Sequence, residues 1–223
     1  MAVSTESLVF EGQAGAVDCA FDIPDGGIDA ARGWALMLHP HPLFGGTRDN
    51  KVVTTVARAC AQQGLAVLRP NFRGVGKSAG EFDNGSGEAA DMLAVASQFR
   101  ARFPALAQGV FVLGGFSFGS AVASQVHAGC TRQDGGWPVA GLMLLGTAAS
   151  RFSVAIVPED TLVVHGEQDD TVPLASVMDW ARPQSLPVTV IPGSGHFFHG
   201  SLVVVKRLVL DYLGRVLPRA GAR

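Results

Sequence analysis

Gly115-Phe116-Ser117-Phe118-Gly119 follows directly on the apolar run Val110-Phe111-Val112-Leu113 and leads into Ala121-Val122-Ala123-Ser124-Gln125-Val126. A serine between two glycines at this spacing suits a sharp turn from a strand into a helix, with the hydroxyl at its apex. Glycine has no Cβ, so the backbone there can take a strained conformation and the helix can pack close to the strand. Alone, the pentapeptide is a weak signal, because Gly- and Ser-rich strand–helix connections are common. An activated serine needs further groups, and their places along the chain decide the matter.

To either side, short apolar runs alternate with longer segments of helical character, the pattern of repeated βα units and a mainly parallel sheet. Two early runs, 7–11 and 16–23, have no helix between them and predict an antiparallel pair at one edge. Strands are expected at 34–38, 66–70, 109–113, 141–145, 161–165 and 187–191. Helices are expected at 51–63, with Asn50 as N-cap, and at 87–102, 120–128, 174–181 and 201–216. The connection 146–160 is short. It has room for a turn or two of helix but not for a lid, so an open site is expected.

The chain has 223 residues, which fits one α/β domain with a full core. With 48% apolar residues it is not a largely disordered chain. Charged residues make up 16% with a net charge of −2, so no basic surface for nucleic acid is expected. The run 202–213 is interrupted by Lys206, Arg207 and Asp211 and is too short to span a bilayer. Met1-Ala2-Val3-Ser4-Thr5-Glu6-Ser7 lacks the basic and apolar regions of a signal peptide. Cys19, Cys60 and Cys130 are odd in number and widely spaced, and read as buried free thiols of a reducing compartment. A cytoplasmic protein without a membrane partner is expected, as monomer or homodimer.

A serine nucleophile requires a base, and the base an orienting acid. In His165-Gly166-Glu167-Gln168-Asp169-Asp170-Thr171-Val172-Pro173, Asp169 falls in the loop beyond a strand's carboxyl end, where open α/β sheets place ligands and catalytic groups. Asp170 competes with it. In Pro192-Gly193-Ser194-Gly195-His196-Phe197-Phe198, His196 occupies a glycine-rich loop after the last strand, with His199 nearby. An imidazole can take the serine proton and return it near neutral pH. The order Ser117, Asp169, His196 is the chain order of α/β-hydrolase triads.

An oxyanion hole requires two N–H donors. One is expected from Phe118, just after the serine at a helix N-terminus. The second is expected from His39-Pro40-His41-Pro42-Leu43-Phe44-Gly45-Gly46, in which both prolines lack an N–H. The His41 backbone is the candidate and Phe44 the fallback. The pair His39-x-His41 also allows a metal reading, but no third ligand stands nearby, so no metal and no cofactor is expected. Gly76-Lys77-Ser78 looks like the end of a P-loop, yet Asn71 occupies the place of its first glycine. The stretch 69–78 reads instead as a structured turn, with Arg73 bonding across neighbouring loops. Asp83, Asn84, Glu88 and Asp91 read as capping and solvating the next helix, and Phe116 and Phe118 as core or pocket wall.

Across nearly its whole length the chain resembles the small lidless bacterial serine hydrolases of the dienelactone-hydrolase-related branch of the α/β-hydrolases. The resemblance rests on the segment 39–46, Asn50-Lys51-Val52-Val53, the segment 71–78, Phe82-Asp83-Asn84-Gly85, the serine pentapeptide, 165–169 and 195–198. It implies an α/β-hydrolase fold with eight strands, helices on both faces and no lid, and Ser117, Asp169 and His196 as triad. The spacing Gly166-x-x-Asp169-x-x-Val172-Pro173 matches the family's acid loop and favours Asp169. Dienelactone hydrolases proper use a cysteine nucleophile, so their substrate does not carry over to Ser117. The expected activity is hydrolysis of small or medium carboxylic esters. The alternatives are an acyl thioesterase with the same triad, a peptidase, or a non-catalytic binding module.

Overall fold

The apolar runs assemble into one eight-stranded sheet in a computed structural model that describes residues 4–132 and 136–218. The strands are β1 (Ser4–Gly12), β2 (Gly15–Ile23), β3 (Gly33–Leu38), β4 (Leu65–Pro70), β5 (Val110–Phe116), β6 (Gly141–Leu145), β7 (Leu162–Gly166) and β8 (Thr189–Ile191). The helices are α1 (Lys51–Gln62), α2 (Ser86–Arg102), α3 (Pro104–Ala107), α4 (Phe118–Arg132), α5 (Leu174–Ala181) and α6 (Leu202–Val216).

The sheet order is β1-β2-β4-β3-β5-β6-β7-β8. The expected antiparallel edge is present: β1 pairs with β2 and β2 with β4 in antiparallel register, and the remaining pairs are parallel. Along β3 the side chains alternate, Trp34, Leu36 and Leu38 packing with α2 and α4 on one face, Ala35 and Met37 with α1 and α6 on the other. Strands covered on both faces must be apolar at every position, which is why these segments read as unbroken runs. The helical layers on the two faces follow from the same alternation.

From β3 the chain passes to β4 on one side, and later enters β5 on the other. The strand order therefore reverses between β3 and β5. At such a switch point the loops leaving the carboxyl ends diverge and open a crevice. The loop after β3, starting at His39, and the turn after β5, at Ser117, flank it.

Several boundaries differ from the sequence expectation. β5 continues to Phe116, because Leu38 stays in register with Gly115 and Phe116 with Leu145. α4 starts at Phe118 rather than 120 and runs to Arg132. β8 is shortened to three residues, and α3 was not anticipated. Asn50 caps α1 as expected, its side chain accepting the Val52 N–H at 2.9 Å.

Candidate active site

Ser117 carries the turn between β5 and α4. Its φ is +56°, a left-handed conformation costly for a residue with a side chain, while its N–H is held by the Leu145 C=O at 2.8 Å. The glycines on either side serve close packing rather than positive φ. A Cβ at Gly115 would lie 2.0 Å from the Gly119 carbonyl oxygen, and one at Gly119 would lie 2.5 Å from those of Leu38 and His39. The pattern of two glycines around one serine is thus the steric record of a helix starting against two strands.

The structure brings Ser117, His196 and Asp169 together. Ser117 Oγ lies 2.8 Å from His196 Nε2, and His196 Nδ1 lies 2.7 Å from Asp169 Oδ2. Since Nδ1 faces a carboxylate, it bears the proton, and Nε2 accepts from the hydroxyl. An imidazole so placed can take up the hydroxyl proton as the oxygen attacks, while the carboxylate holds its tautomer. Phe116, fully buried, supports the His196 ring from below at a centroid distance of 5.1 Å. Asp170 is exposed and, among the described residues, accepts only from the neighbouring Thr171 hydroxyl, at 3.3 Å, and His199 is exposed beyond Phe197. Between the competing carboxylates, the fold places Asp169 against the histidine.

Asp169 accepts three hydrogen bonds and has a second imidazole close by. Oδ1 accepts the N–H groups of Thr171 and Val172 at 3.0 and 2.7 Å. Oδ2 faces His196 and also, at 3.2 Å, Nε2 of the buried His165, whose Nε2 lies 2.9 Å from the Val172 carbonyl as well. Burial works to raise the Asp169 carboxyl, but the bonds from His196 and Val172 outweigh it and hold it below the usual carboxylate value. Burial pushes the His165 imidazole down, so it stands neutral with its proton on Nε2. His165 is a contact that the sequence reading missed. Its spacing of four residues from Asp169 was the available signal, but nothing in the sequence shows a strand end and the following loop folding back on each other.

The loop after β3 is organised by His39. Its Nε2 accepts the Phe72 N–H at 2.9 Å, so Nδ1 carries the proton and donates to the Pro40 C=O at 2.7 Å. Both ring nitrogens are thereby occupied. Burial lowers its pKa to about 4, leaving the ring neutral. The metal reading of His39-x-His41 loses its first ligand here, and no metal-ligating cluster occurs among the described residues. In a trans peptide the C=O and N–H point opposite ways. Holding the Pro40 carbonyl therefore turns the His41 N–H away from His39. Neither that N–H nor that of Phe118 has an acceptor among the described residues. The Phe44 N–H, the fallback donor, is already committed to the His41 C=O at 3.2 Å.

Ser117 and His196 open into a pocket of about 300 Å³ walled by Pro40, His41, Phe44 and Phe197. Phe118 is core, not wall: fully buried, it packs against Phe72, Phe82 and Phe152 at 4.8 to 5.4 Å and against the ring of His41. Burial lowers the pKa of that His41 ring as well.

Two expectations nearby fare differently. The stretch 69–78 is a structured turn, with Ser78 Oγ donating to the Asn71 C=O and accepting the Asp18 N–H, both at 2.9 Å. Glu88 caps α2 by accepting the N–H groups of Asp83 and Gly85, each at 2.8 Å. The expectation that Glu88 and Asp91 are solvated is corrected, since both are buried. Asp91 is sealed beneath Arg73, whose Nε reaches Oδ2 at 2.5 Å.

The sheet order, with a serine raised on the turn after β5, defines an α/β-hydrolase. No family model matches the chain. The crystal structure of a lidless α/β serine hydrolase from Xanthomonas campestris is 32% identical, with a TM-score of 0.85 over 99% of this chain and 98% of its own. An α/β serine hydrolase homologue from Coxiella burnetii is 34% identical, with a TM-score of 0.78 over 96% of this chain and 99% of its own. An uncharacterised protein of Rickettsia prowazekii is 35% identical over 188 residues, 80% of this chain and 77% of that protein. The chain belongs to the lidless α/β serine hydrolases.

Proposed function

We propose that the protein hydrolyses carboxylic esters of small or medium acyl groups through an acyl-enzyme. The observation that carries this reading is the unbroken relay from Ser117 Oγ through His196 to Asp169, at 2.8 and 2.7 Å, at the floor of an apolar pocket. In this mechanism Ser117 Oγ attacks the acyl carbon as His196 Nε2 takes its proton. Asp169 holds Nδ1–H and stabilises the imidazolium. The N–H groups of Phe118 and His41 bind the oxyanion, each worth about 3 kcal/mol in the transition state. His196 then protonates the leaving alcohol, and a water activated by the same imidazole releases the acid.

The pocket volume of about 300 Å³ sits at the small end of ligand sites and supports modest acyl groups. The three cysteines are free and buried, which supports a reducing, cytoplasmic setting. Intact mass after exposure to a fluorophosphonate, with peptide mapping, tests the reading without a guess at the substrate. One adduct on Ser117 is expected, lost in His196→Ala. Ester turnover should fall about 10⁴-fold or more in Ser117→Ala, with the fold retained. A folded wild-type protein that takes no adduct would sink the proposal.

A further inference from the structure

One pocket side chain has no task in that reaction. Arg151 lines the pocket together with Ser117 and His196. Among the described residues its guanidinium has no ion pair and no hydrogen-bond partner. No aspartate, glutamate or lysine lines the pocket, so Arg151 is its one permanent charge. The acids of the neighbouring loops are engaged elsewhere: Asp169 faces His196 and His165, Asp170 takes the Thr171 hydroxyl, and Glu88, whose charge also reaches His41, accepts the N–H groups of Asp83 and Gly85.

The backbone that bears Arg151 is fastened down. It belongs to the short connection 146–160, which is stitched to α4 at three points. Ser120 Oγ accepts the Ala148 N–H at 3.3 Å, Gln125 Nε2 donates to the Ser153 C=O at 2.9 Å, and Ser124 Oγ accepts the Ala155 N–H at 2.9 Å. Phe152, the next residue, packs edge-on against Phe118 at 4.8 Å. The Arg151 N–H closes a turn onto the Ala148 C=O at 3.2 Å. The root of the side chain is therefore fixed beside the pocket, and only its rotamers are free. Its charge is felt inside: after burial, it is a further influence lowering the pKa of His41.

A guanidinium without a partner, at the rim of a small apolar pocket, is a planar fork that matches a carboxylate. We propose that Arg151 selects anionic substrates: esters bearing a carboxylate a few bonds from the scissile carbonyl, such as half-esters of short dicarboxylic acids. This rests on ester hydrolysis at Ser117. It assigns the apolar wall to the methylene spacer and the rim charge to the carboxylate.

The test compares kcat/KM within two ester pairs, in the wild-type protein and in Arg151→Gln. Mono-4-nitrophenyl glutarate against 4-nitrophenyl pentanoate places the carboxylate on the acyl side. The butanoyl ester of 4-hydroxybenzoate against phenyl butyrate places it on the alcohol side. In at least one pair, the ratio of anionic to neutral ester should be about tenfold higher in wild type than in the variant. That advantage should shrink in about 0.5 M NaCl, since the rim is open to solvent. The pair that responds identifies the side on which the carboxylate sits. Equal ratios in the two proteins for both pairs would overturn the assignment, while fluorophosphonate labelling of Ser117 and turnover of the neutral esters would leave the ester reading standing. Absence of labelling and of all turnover in wild type would remove both together.

Discussion

At Ser117 the proposed role of the hydroxyl and the stability of the backbone are set against each other. A φ of +56° raises the hydroxyl above the sheet edge but places a Cβ where left-handed backbone is costly. Ser117→Gly should therefore be more stable than Ser117→Ala by about 1 kcal/mol, both being inactive, as read from denaturant midpoints. His39 makes a second prediction at this scale. Its folded pKa is about 4 against 6.5 for an unperturbed histidine. Below pH 6.5 the unfolded chain takes a proton that the folded protein refuses, so stability is lost as pH falls toward 4. The loss should approach about 3 kcal/mol over that window, with His165 acting in the same direction. Urea midpoints at pH 7 and at pH 5 check it: the drop should be smaller in His39→Gln. An equal drop in the variant would show that His39 is not a source of the acid sensitivity. The types of both residues are legible in the chain; the strain at one and the occupied ring of the other are not.

At the scale of elements, α2 is tied to the edge of the sheet through one buried carboxylate. Asp91 accepts from Arg73 Nε and Nη2 at 2.5 and 3.1 Å, and from the Gln13 N–H at 2.6 Å. It thus joins the β1–β2 turn and the loop after β4 to the helix. Asp91→Ala removes one partner of a buried pair and should cost about 3 kcal/mol in chemical denaturation, with Asp91→Asn losing less because an acceptor for Gln13 remains. The sequence reading took Asp91 for a solvated residue, since a carboxylate in the first turns of a helix usually is one. What buries it is Arg73, delivered from 18 positions upstream by the turn after β4. The same kind of limit set the strand ends. Apolar runs mark where β3, β4, β6 and β7 lie, because both faces of each are covered. The extension of β5 through Gly114 and Gly115 comes instead from pairing with β3 and β6, which a local pattern does not register.

Over the whole molecule, the reversal of strand order between β3 and β5 makes the site. It sets the His39 loop beside the Ser117 turn, and the later strands bring in Asp169 and His196, the latter 79 residues from the serine it bonds. The short connection 146–160, stitched to α4, leaves the pocket open and presents Arg151 to it rather than a lid. By itself the sequence determined the class of fold, through runs of apolar residues spaced for strands covered on both faces. It also determined which residue types could act, because a serine between glycines, a loop carboxylate and a loop histidine are chemical identities that need no coordinates. The spacing of the acid loop already favoured Asp169, and the fold sets it against the histidine. The tertiary structure alone decided that the Phe44 N–H is spent within its own turn, that His165 lies against the acid, and that Arg151 stands at the rim with no partner among the described residues. Those outcomes depend on distances of a few ångströms that the conformations of the loops decide, and these are fixed by packing the loops onto the sheet, not by the spacing of residue types along the chain.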